Sequence, residues 1–370
     1  MNQRYGTEPR SALRSQYAQR IAVIPERYGV VMSPCASIRL HAFTEHFPAD
    51  VRYLIPEELD AFAPHVVLWN RGAVADEAGF ASLAAARRRG ARLLYDLDDN
   101  LLAMDEHPER DAYAGIIDAV RRSIDLADVT WCSTVRLAEV VDAEGGTAVC
   151  MPNALDDVLW QTADPSPVSM TRDAELRLLY MGTRTHDEDF RLLDEALQLV
   201  WARKPRTFSL TLVGVNAEAS QPRPWLYAES PPPHVGASYP AFVHWFSRLR
   251  GFHLGLAPLL DTRFNLCKSS IKVLDYASAG MVTLASNVPA YRDDAMNDRI
   301  LVDNTPEDWA QRIAAIIDGA LPLGEMATHA RQRVGRSVFQ AAVARRWESC
   351  LQSAGDRLQV VRCVDGGMAM

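Results

Sequence analysis

The chain has 370 residues, 48% of them hydrophobic, which is enough for two domains that each bury their own core. Its 39 basic and 47 acidic residues give a net charge of −8, so no basic excess exists to neutralise a phosphate backbone, and nucleic acid is not expected as a partner. The six cysteines show no C-x-x-C pair and no metal-ligand spacing, which predicts a reduced, cytoplasmic protein without structural zinc. No apolar run reaches the roughly 18 residues of a membrane span, although docking on a membrane surface stays open.

The first half of the chain alternates short apolar runs with amphipathic stretches. The runs are "HVVLWN", "ARLLYDLD", "VTWCS" and "TAVCMPN", and stretches such as "DEAGFASLAAARRRG" and "VRLAEVVDAEGG" separate them. This rhythm predicts repeated β-α winding around a parallel sheet.

After the polar, turn-rich segment "QTADPSPVSMTRDAE", the same rhythm starts again with "LRLLYMG" and "DEDFRLLDEALQLVWAR". The proline-rich segment "SQPRPWLYAESPPPHVG" is predicted to be a surface loop, because proline interrupts helices and strands. One or two helices are expected beyond Gly324, and the last is expected to cross back onto the first domain. The predicted fold is α/β: two doubly wound, Rossmann-like domains at 1–160 and 161–335 facing across a cleft, with residues 336–370 forming the returning helix and a tail.

In such sheets ligands bind where strands end, so the residues directly after each apolar run are the informative ones. Three aspartates in "LLYDLDDNLL" follow one of these runs, and three chemistries compete for them. A dehalogenase-type phosphatase would use Asp96 as its nucleophile, a metal-dependent transferase would hold a divalent ion there, and a third reading makes the cluster one wall of a cleft.

Two segments of the second half favour an anionic ligand. In "YMGTRTHDED" a strand ends at Gly182 and a helix follows, which suits a diphosphate, although Thr185 or Asp187 can equally be a simple N-cap. In "NLCKSSIKVLD", Lys268 and Ser269 are predicted to open a helix that carries Lys272 and Asp275 on the same face. Those groups suit a diphosphate and a ribose diol, and the alternative is an ordinary amphipathic helix with a surface ion pair.

The chain as a whole resembles the glycosyltransferases of the two-domain GT-B fold, specifically family 4-like members. The segments that carry this resemblance are Arg39 after the first strand, "LLYDLDDNL", "HPERDAY", "ADVTWCSTVRLAE", "VCMPNALDD", "YMGTRTHDEDF", "LAPLLDTRFNLCKSSIKVLDYASAG" and "ARRW". The resemblance implies that the first domain takes the acceptor and that the second binds a nucleoside-diphosphate sugar. It also implies that neither a metal nor another cofactor is required.

Site residues follow from the resemblance and from the strand-end rule. The expected donor-binding residues are Gly182, Thr183, His186, Gly214, Asn265, Lys268, Ser269, Lys272 and Asp275. The expected acceptor-side residues are Arg39, Arg71 and Asn153, and Asp98, Asp99 and Lys268 are expected to act in catalysis. Asp98 and Asp99 are close enough to titrate together, so one of them is expected to hold a proton near neutral pH.

The sequence departs from the family pattern in two places. Cys267 stands where the family's E-x7-E motif has its first glutamate, with Asp275 in place of the second, and "TRTHDED" replaces the usual arginine and lysine after Gly182. The predicted activity is transfer of a sugar, with retention of configuration, to a glycan or lipid-linked acceptor in bacterial surface-polysaccharide assembly. A nucleotide-sugar epimerase and a catalytically silent sugar-nucleotide-binding subunit remain as alternatives.

Overall fold

The computed structural model of the protein describes residues 19–105, 107–160, 175–182, 187–214, 222–236, 238–292 and 299–352. Its strands form two parallel six-stranded sheets, one in each half of the chain, and a short antiparallel hairpin. The prediction of two doubly wound, Rossmann-like sheets is therefore confirmed. The predicted boundary at 160/161 adjoins residues 161–174, which lie outside the described residues, and it stays a prediction.

The first sheet is built from every apolar run predicted in the first half. Its strands, in spatial order, are β4 (Asp50–Tyr53), β1 (Arg20–Ile24), β5 (Val66–Asn70), β6 (Arg92–Leu97), β7 (Val129–Cys132) and β8 (Ala148–Cys150). The hairpin of β2 (Arg27–Tyr28) and β3 (Val31–Met32) follows β1. Its helices are α1 (Pro34–Ala36), α2 (Ala42–Thr44), α3 (Leu59–Phe62), α4 (Glu77–Arg88), α5 (Arg110–Tyr113), α6 (Ile117–Leu126) and α7 (Val135–Ala143), with a π-helical turn at Ser37–His41 and a 3-10 turn at Pro56–Glu58.

The second sheet repeats this arrangement. Its strands, in spatial order, are β11 (Leu226–Glu229), β10 (Phe208–Val213), β9 (Leu176–Met181), β12 (Leu254–Ala257), β13 (Val282–Ser286) and β14 (Arg299–Val302). Its helices are α8 (Asp187–Arg203), α9 (Pro233–Gly236), α10 (Tyr239–Phe246), α11 (Ile271–Ser278), α12 (Pro289–Arg292), α13 (Pro306–Ile317) and α14 (Leu323–Gln332), with a 3-10 turn at Asn265–Cys267.

The prediction of a surface loop for the proline-rich segment was wrong for its centre. Leu226–Glu229 form β11, which pairs with β10 along the edge of the second sheet. The prolines flank these four residues without interrupting them, and an edge strand has to hydrogen-bond on one side only.

The predicted helix start at Lys268 was also wrong. Lys268 has an extended backbone (φ −65°, ψ 151°) after the 3-10 turn, and α11 begins at Ile271 with Ser270 as its N-cap. Lys268 therefore does not share a helix face with Lys272 and Asp275. The 3-10 turn and the extended backbone of Lys268 direct its side chain toward Asp99 of the first domain.

The last helix, α15 (Arg336–Leu351), packs against the first sheet, as predicted. Phe339, Val343 and Cys350 belong to the same apolar cluster as the first-domain residues Phe43 and Trp131. The chain thus crosses from the second domain back to the first.

Candidate active site in the interdomain cleft

Arg71 is the centre of the first-domain wall of the cleft. It follows β5, it is only 3% exposed, and its guanidinium contacts three carboxylates. Its Nη1 lies 2.8 Å from Asp98 Oδ1 and 3.1 Å from Asp99 Oδ2, and its Nε lies 3.2 Å from Glu26 Oε2. Its Nη2 also donates to the Tyr113 hydroxyl at 3.3 Å. The strand ends of β1, β5 and β6 are thereby joined by one cation.

Arg39, expected on the acceptor side, lies beneath this wall and not on its surface. Its side chain and that of Asp96 are both fully buried, with Nη2 and Oδ2 2.7 Å apart. Its Nη1 donates to the Met151 carbonyl at 2.6 Å and to Asn153 Oδ1 at 2.9 Å. Because these contacts are all internal, Arg39 supports the wall and orients Asn153.

The same burial decides between two readings of the aspartate cluster. A phosphatase nucleophile must reach its substrate, but Asp96 has no exposed surface, and its two oxygens accept from Arg39 Nε and Nη2. Asp98 and Asp99, in contrast, are partly exposed, with 15% and 22% of their side chains accessible. The structure therefore favours the cleft-wall reading over the dehalogenase reading.

The segment from Cys267 to Ser269 bridges to the first domain. Lys268 Nζ lies 3.4 Å from Asp99 Oδ1 and 4.6 Å from the centre of the Phe264 ring. Asn153 Nδ2 donates to Ser269 Oγ at 2.8 Å, and the Thr134 hydroxyl donates to the Cys267 carbonyl at 3.0 Å. Lys268, Ser269, Asp99 and Asn153, predicted on opposite walls, are thus brought together.

Asp99 is ionised at neutral pH. Burial alone would raise the pKa of its carboxyl, but the charges of Lys268 and Arg71 outweigh that effect and lower the pKa to about 2. The expected shared proton is therefore not on Asp99. A fixed negative charge at this position can stabilise positive charge that develops on a neighbouring group.

A second group of polar side chains lies beside β9, on the donor side. Lys272 Nζ lies 5.5 Å from the centre of the Tyr180 ring. Within the part of the chain that the structure describes, Lys272 Nζ and Asp275 Oδ1 are both buried and have no hydrogen-bond partner. Burial lowers the pKa of Lys272 to about 8 and raises the pKa of Asp275 to about 8. Two such groups are costly to bury unless a ligand completes their contacts.

Two glycines close this side of the cleft at the ends of β9 and β10. Gly214 has φ +109°, and a side chain there would collide with the carbonyl of Gly182, so the close approach of the two strand ends requires glycine. Asn265 donates from Nδ2 to the Leu260 carbonyl at 2.9 Å and so holds its own loop. Thr183 and His186, also predicted to bind the donor, lie outside the described residues.

Sequence reasoning missed two members of the wall, Glu26 and Tyr113. Glu26 could have been found by applying the strand-end rule to "IAVIPE", since it follows β1 after one proline. Tyr113 ends the short helix α5, away from any strand end, and no sequence signal marks it as a partner of Arg71.

The wall also bears on metal binding. Among the described residues, no three histidine, cysteine, aspartate or glutamate side chains form a group that could hold a metal ion. Asp98 and Asp99, the aspartates predicted to face the cleft, have cations as neighbours, Arg71 for both and Lys268 for Asp99.

No helix in the described ranges is long and apolar enough to cross a membrane.

No family model matches the chain, and no curated protein matches it in sequence. Solved structures do match it in fold. The structure of Anabaena HepE in complex with UDP-glucose is 12% identical, covers 90% of this chain and 100% of its own, and has a TM-score of 0.60. TarM is 9% identical over 81% of this chain, with a TM-score of 0.58, and this chain spans only 58% of its length. The UDP-GlcNAc 2-epimerase from Neisseria meningitidis, bound to UDP-GlcNAc, is 12% identical over 90% of this chain and 99% of its own, with a TM-score of 0.50.

These similarities, together with the two strand orders, show that the chain has the GT-B fold of two Rossmann-like domains. At such low identities they show the fold alone. The assignment to family 4 stays a prediction.

Proposed function

We propose that the protein is a glycosyltransferase that moves a sugar from a nucleoside diphosphate to a hydroxyl of a glycan or lipid-linked acceptor. The observation that carries this proposal is that Lys272 Nζ and Asp275 Oδ1, at the donor side of a GT-B cleft, are buried and lack hydrogen-bond partners among the described residues. A cation suits a diphosphate, and a carboxylate suits the diol of a ribose. The nucleotide would complete both.

Lys272 can replace the positive charge of the arginine and lysine that the family usually has after Gly182 and that this chain lacks. Its ammonium lies over Tyr180, a residue of the strand that ends just before Gly182. We infer that Lys272, on α11, gives the diphosphate the positive charge that the loop after β9 usually provides in the family. Lys268 would add a second positive charge as the diphosphate departs, because its ammonium group lies in the cleft beside Asp99.

Asp98 and Asp99 serve the other half of the reaction in this proposal. Their carboxylates lie on the acceptor-side wall and are held by Arg71. Either can orient the attacking hydroxyl, and the ionised Asp99 can stabilise an oxocarbenium-like sugar. Retention of configuration is part of the proposal, as the resemblance implies. Because the two aspartates already have Arg71 as a partner, we propose that charge is neutralised by side chains without a metal.

The comparisons suggest which donor to test first. HepE was solved with UDP-glucose, and a pneumococcal O-GlcNAc transferase, GtfA, was solved with UDP and GlcNAc. We therefore propose a UDP-sugar as the donor. We place the reaction in the cytoplasm, in bacterial surface-polysaccharide assembly, with peripheral association at the inner membrane when the acceptor is lipid-linked.

A panel of UDP-, GDP- and ADP-sugars tests the proposal, with free nucleotide measured alongside any glycosylated product. Transfer to an acceptor, insensitive to EDTA, is the expected result. If EDTA abolishes turnover and manganese or magnesium restores it, the wall of Asp98 and Asp99 has to be reinterpreted as a metal site.

The epimerase is the second candidate, because the Neisseria epimerase shares the fold across 90% of this chain. It would release free nucleotide and altered sugar without any acceptor. A silent binding subunit would bind UDP, as measured by calorimetry, and turn over nothing.

A further inference from the structure

The hairpin of β2 and β3 exposes apolar side chains to solvent. Its two strands pair antiparallel with Tyr28 opposite Val31, so these two side chains lie on one face. Tyr28 is 58% exposed, Val30 in the turn 90% and Val31 39%. Three of the nine exposed large hydrophobic residues of the described chain thus fall within four positions. The apolar clusters formed by the described residues include no residue of the hairpin, so the core does not cover these side chains.

The hairpin is fixed by its turn and by its root. Gly29 opens the two-residue turn with φ +64°, where glycine is favoured, and turns of this kind match the twist of a hairpin. At the root, the Ser33 N–H donates to the Glu26 carbonyl at 2.9 Å. The Glu26 N–H in turn donates to Asn70 Oδ1 at 2.8 Å. The apolar tip is therefore presented on a defined support.

The root of the hairpin belongs to the acceptor-side wall of the cleft. Glu26 directly precedes β2, and its carboxylate contacts Arg71. Arg71 in turn holds Asp98 and Asp99. Three residues in strand geometry rise about 10 Å, so the tip stands roughly that far from Glu26. Interfacial anchors enter the boundary between lipid head groups and acyl chains to a similar depth, about 5–10 Å.

Shape, charge and size favour a lipid bilayer as the partner of this tip. An exposed turn has no concavity that could enclose a small ligand. The charged residue of the hairpin is Arg27, which is exposed and complementary to an anionic bilayer surface. Three apolar side chains are too few for a stable contact between proteins, which needs roughly 600 Å² or more from each partner. Binding to a bilayer requires no second folded surface and grows with the apolar area that is inserted.

We propose that residues 27–32 form a membrane-docking hairpin, whose Tyr28, Val30 and Val31 side chains enter the head-group region of a bilayer that contains anionic lipid. A consequence for the reaction, which rests on the proposed function, concerns the acceptor. With the tip in the bilayer, the wall that carries Asp98 and Asp99 lies close to the membrane surface. The acceptor hydroxyl then belongs to a short lipid-linked saccharide rather than to a free glycan.

Co-sedimentation of the full chain with vesicles tests the docking hairpin. The vesicles contain equal parts of phosphatidylcholine and phosphatidylglycerol, and we expect the wild-type chain to sediment with them. Val30→Asp should weaken this binding about tenfold, because it replaces the most exposed apolar side chain of the tip by a negative charge. Arg27→Gln should weaken it about fivefold, and this loss should disappear with vesicles of phosphatidylcholine alone.

Tyr28→Ser and Tyr227→Ser form a matched pair of variants. The two tyrosines are 58% and 59% exposed, but Tyr227 lies in β11 at the edge of the second sheet. Tyr28→Ser should weaken vesicle binding about fivefold, whereas Tyr227→Ser should change it less than about twofold. Because neither side chain belongs to an apolar cluster of the described residues, both variants should unfold at nearly the wild-type temperature.

The acceptor assignment has its own measurement, made with the donor that the nucleotide-sugar panel identifies. Dodecyl glycosides held in the vesicles should be glycosylated at least about tenfold faster than the corresponding methyl glycosides in solution, because docking concentrates the enzyme beside them. Val30→Asp should remove this advantage. Equal rates for the two kinds of acceptor would contradict the lipid-linked assignment.

The docking proposal is overturned if the wild-type chain sediments with neither kind of vesicle, or if Val30→Asp and Tyr28→Ser bind as well as wild type. It is also overturned if sedimentation velocity shows a dimer that Val30→Asp dissociates, since the hairpin would then join two copies of the chain. UDP affinity, measured by calorimetry without vesicles, should be the same in wild type and Val30→Asp. A failure of the donor site is therefore seen separately from a failure of the docking hairpin.

Discussion

Arg71 shows how single residues of the cleft are fixed. Its backbone has φ 47°, in the left-handed region, which costs a non-glycine residue about 1–3 kcal/mol. The Arg71 N–H donates to the Asp96 carbonyl at 3.1 Å, and the Tyr95 hydroxyl donates to the Arg71 carbonyl at 3.0 Å. These bonds offset the strain and aim the guanidinium at Glu26, Asp98 and Asp99. The geometry of the aspartates is thus set before any substrate binds.

Asp99→Asn tests the division of labour between the two walls. The change removes a charge from the first domain and leaves the donor contacts of Lys272 and Asp275 in place, so UDP affinity should stay within about a few-fold of wild type. Turnover should fall by more than about tenfold, because the fixed negative charge beside the reacting sugar is lost. Steady-state kinetics and calorimetry measure the two effects, and Asp111→Asn, on an aspartate that is 99% exposed, is the control. An Asp99→Asn enzyme of full activity would remove Asp99 from the mechanism.

Lys272 should make donor binding depend on pH. Its pKa is about 8, Asp275 titrates near the same value, and Asp189 and Lys268 act on Lys272 from its surroundings. Only protonated Lys272 attracts a diphosphate, so loss of its proton weakens binding as pH rises through 8. UDP affinity measured by calorimetry should fall roughly tenfold between pH 7.5 and 9. Lys272→Met should bind about tenfold to a hundredfold more weakly at pH 7.5, with a smaller dependence on pH. Equal affinity of this variant and wild type would contradict the assigned donor contact.

At the scale of elements, Tyr276 hydrogen-bonds α11 to two strands of the second sheet. The Met181 N–H donates to the Tyr276 hydroxyl at 3.0 Å, and this hydroxyl donates to the Leu256 carbonyl at 2.9 Å. The ring lies directly against Gly255 in β12, where any side chain would collide with it. The position of Lys272 and Asp275 therefore depends on a glycine in the neighbouring strand.

Gly255→Ala should push Tyr276 out of its place. We expect a loss of stability of about 1–3 kcal/mol from overpacking, with weaker UDP binding because α11 shifts. Gly324→Ala is the control: Gly324 lies in α14 with open space around it, and alanine there should be neutral or slightly stabilising. Urea unfolding of both variants measures the difference. The packing argument fails if the two variants unfold at the same urea concentration.

Elements and strand ends were the part that sequence alone could predict. Periodic apolar runs identified strands such as β5 and β6, and the rule of looking after each strand found Arg71, Asp99 and Asn153. How deeply a side chain is buried, and which way it points, could not be predicted from these local patterns. Arg39 is buried because Asp96 neutralises it from a strand 57 positions away, and Lys268 points at the first domain because a 3-10 turn precedes α11. Both outcomes depend on tertiary contacts that no local pattern encodes.

At the scale of the whole molecule, two segments from the second half of the chain pack into the core of the first domain. Phe264 and Cys267, from the second half of the chain, belong to an apolar cluster of the first domain. Helix α15 contributes to a second apolar cluster, on the opposite face of the first-domain sheet. Arg346 is buried there, 3.7 Å over the Phe43 ring, and its Nη2 donates to the Met151 and Pro152 carbonyls at 3.1 and 2.8 Å. The carboxyl end of β8, which leads to Asn153 in the cleft, is thus held by the last helix of the chain.

Phe339→Ala should show that α15 belongs energetically to the first domain. Phe339 is 1% exposed and stacks on Phe43 with the ring centres 5.4 Å apart, so its removal should cost about 3–5 kcal/mol. If that energy stabilises the first sheet, hydrogen exchange should accelerate in β7 and β8, near Trp131, whose Nε1 donates to Ser349 Oγ at 3.0 Å. The amides of β9 and β10 should keep their protection, and Ser337→Ala, an exposed position on the same helix, should change neither set. Equal acceleration in both sheets would mean that the two domains unfold as one unit. In that case the last helix would stabilise the whole molecule and not the acceptor-side domain.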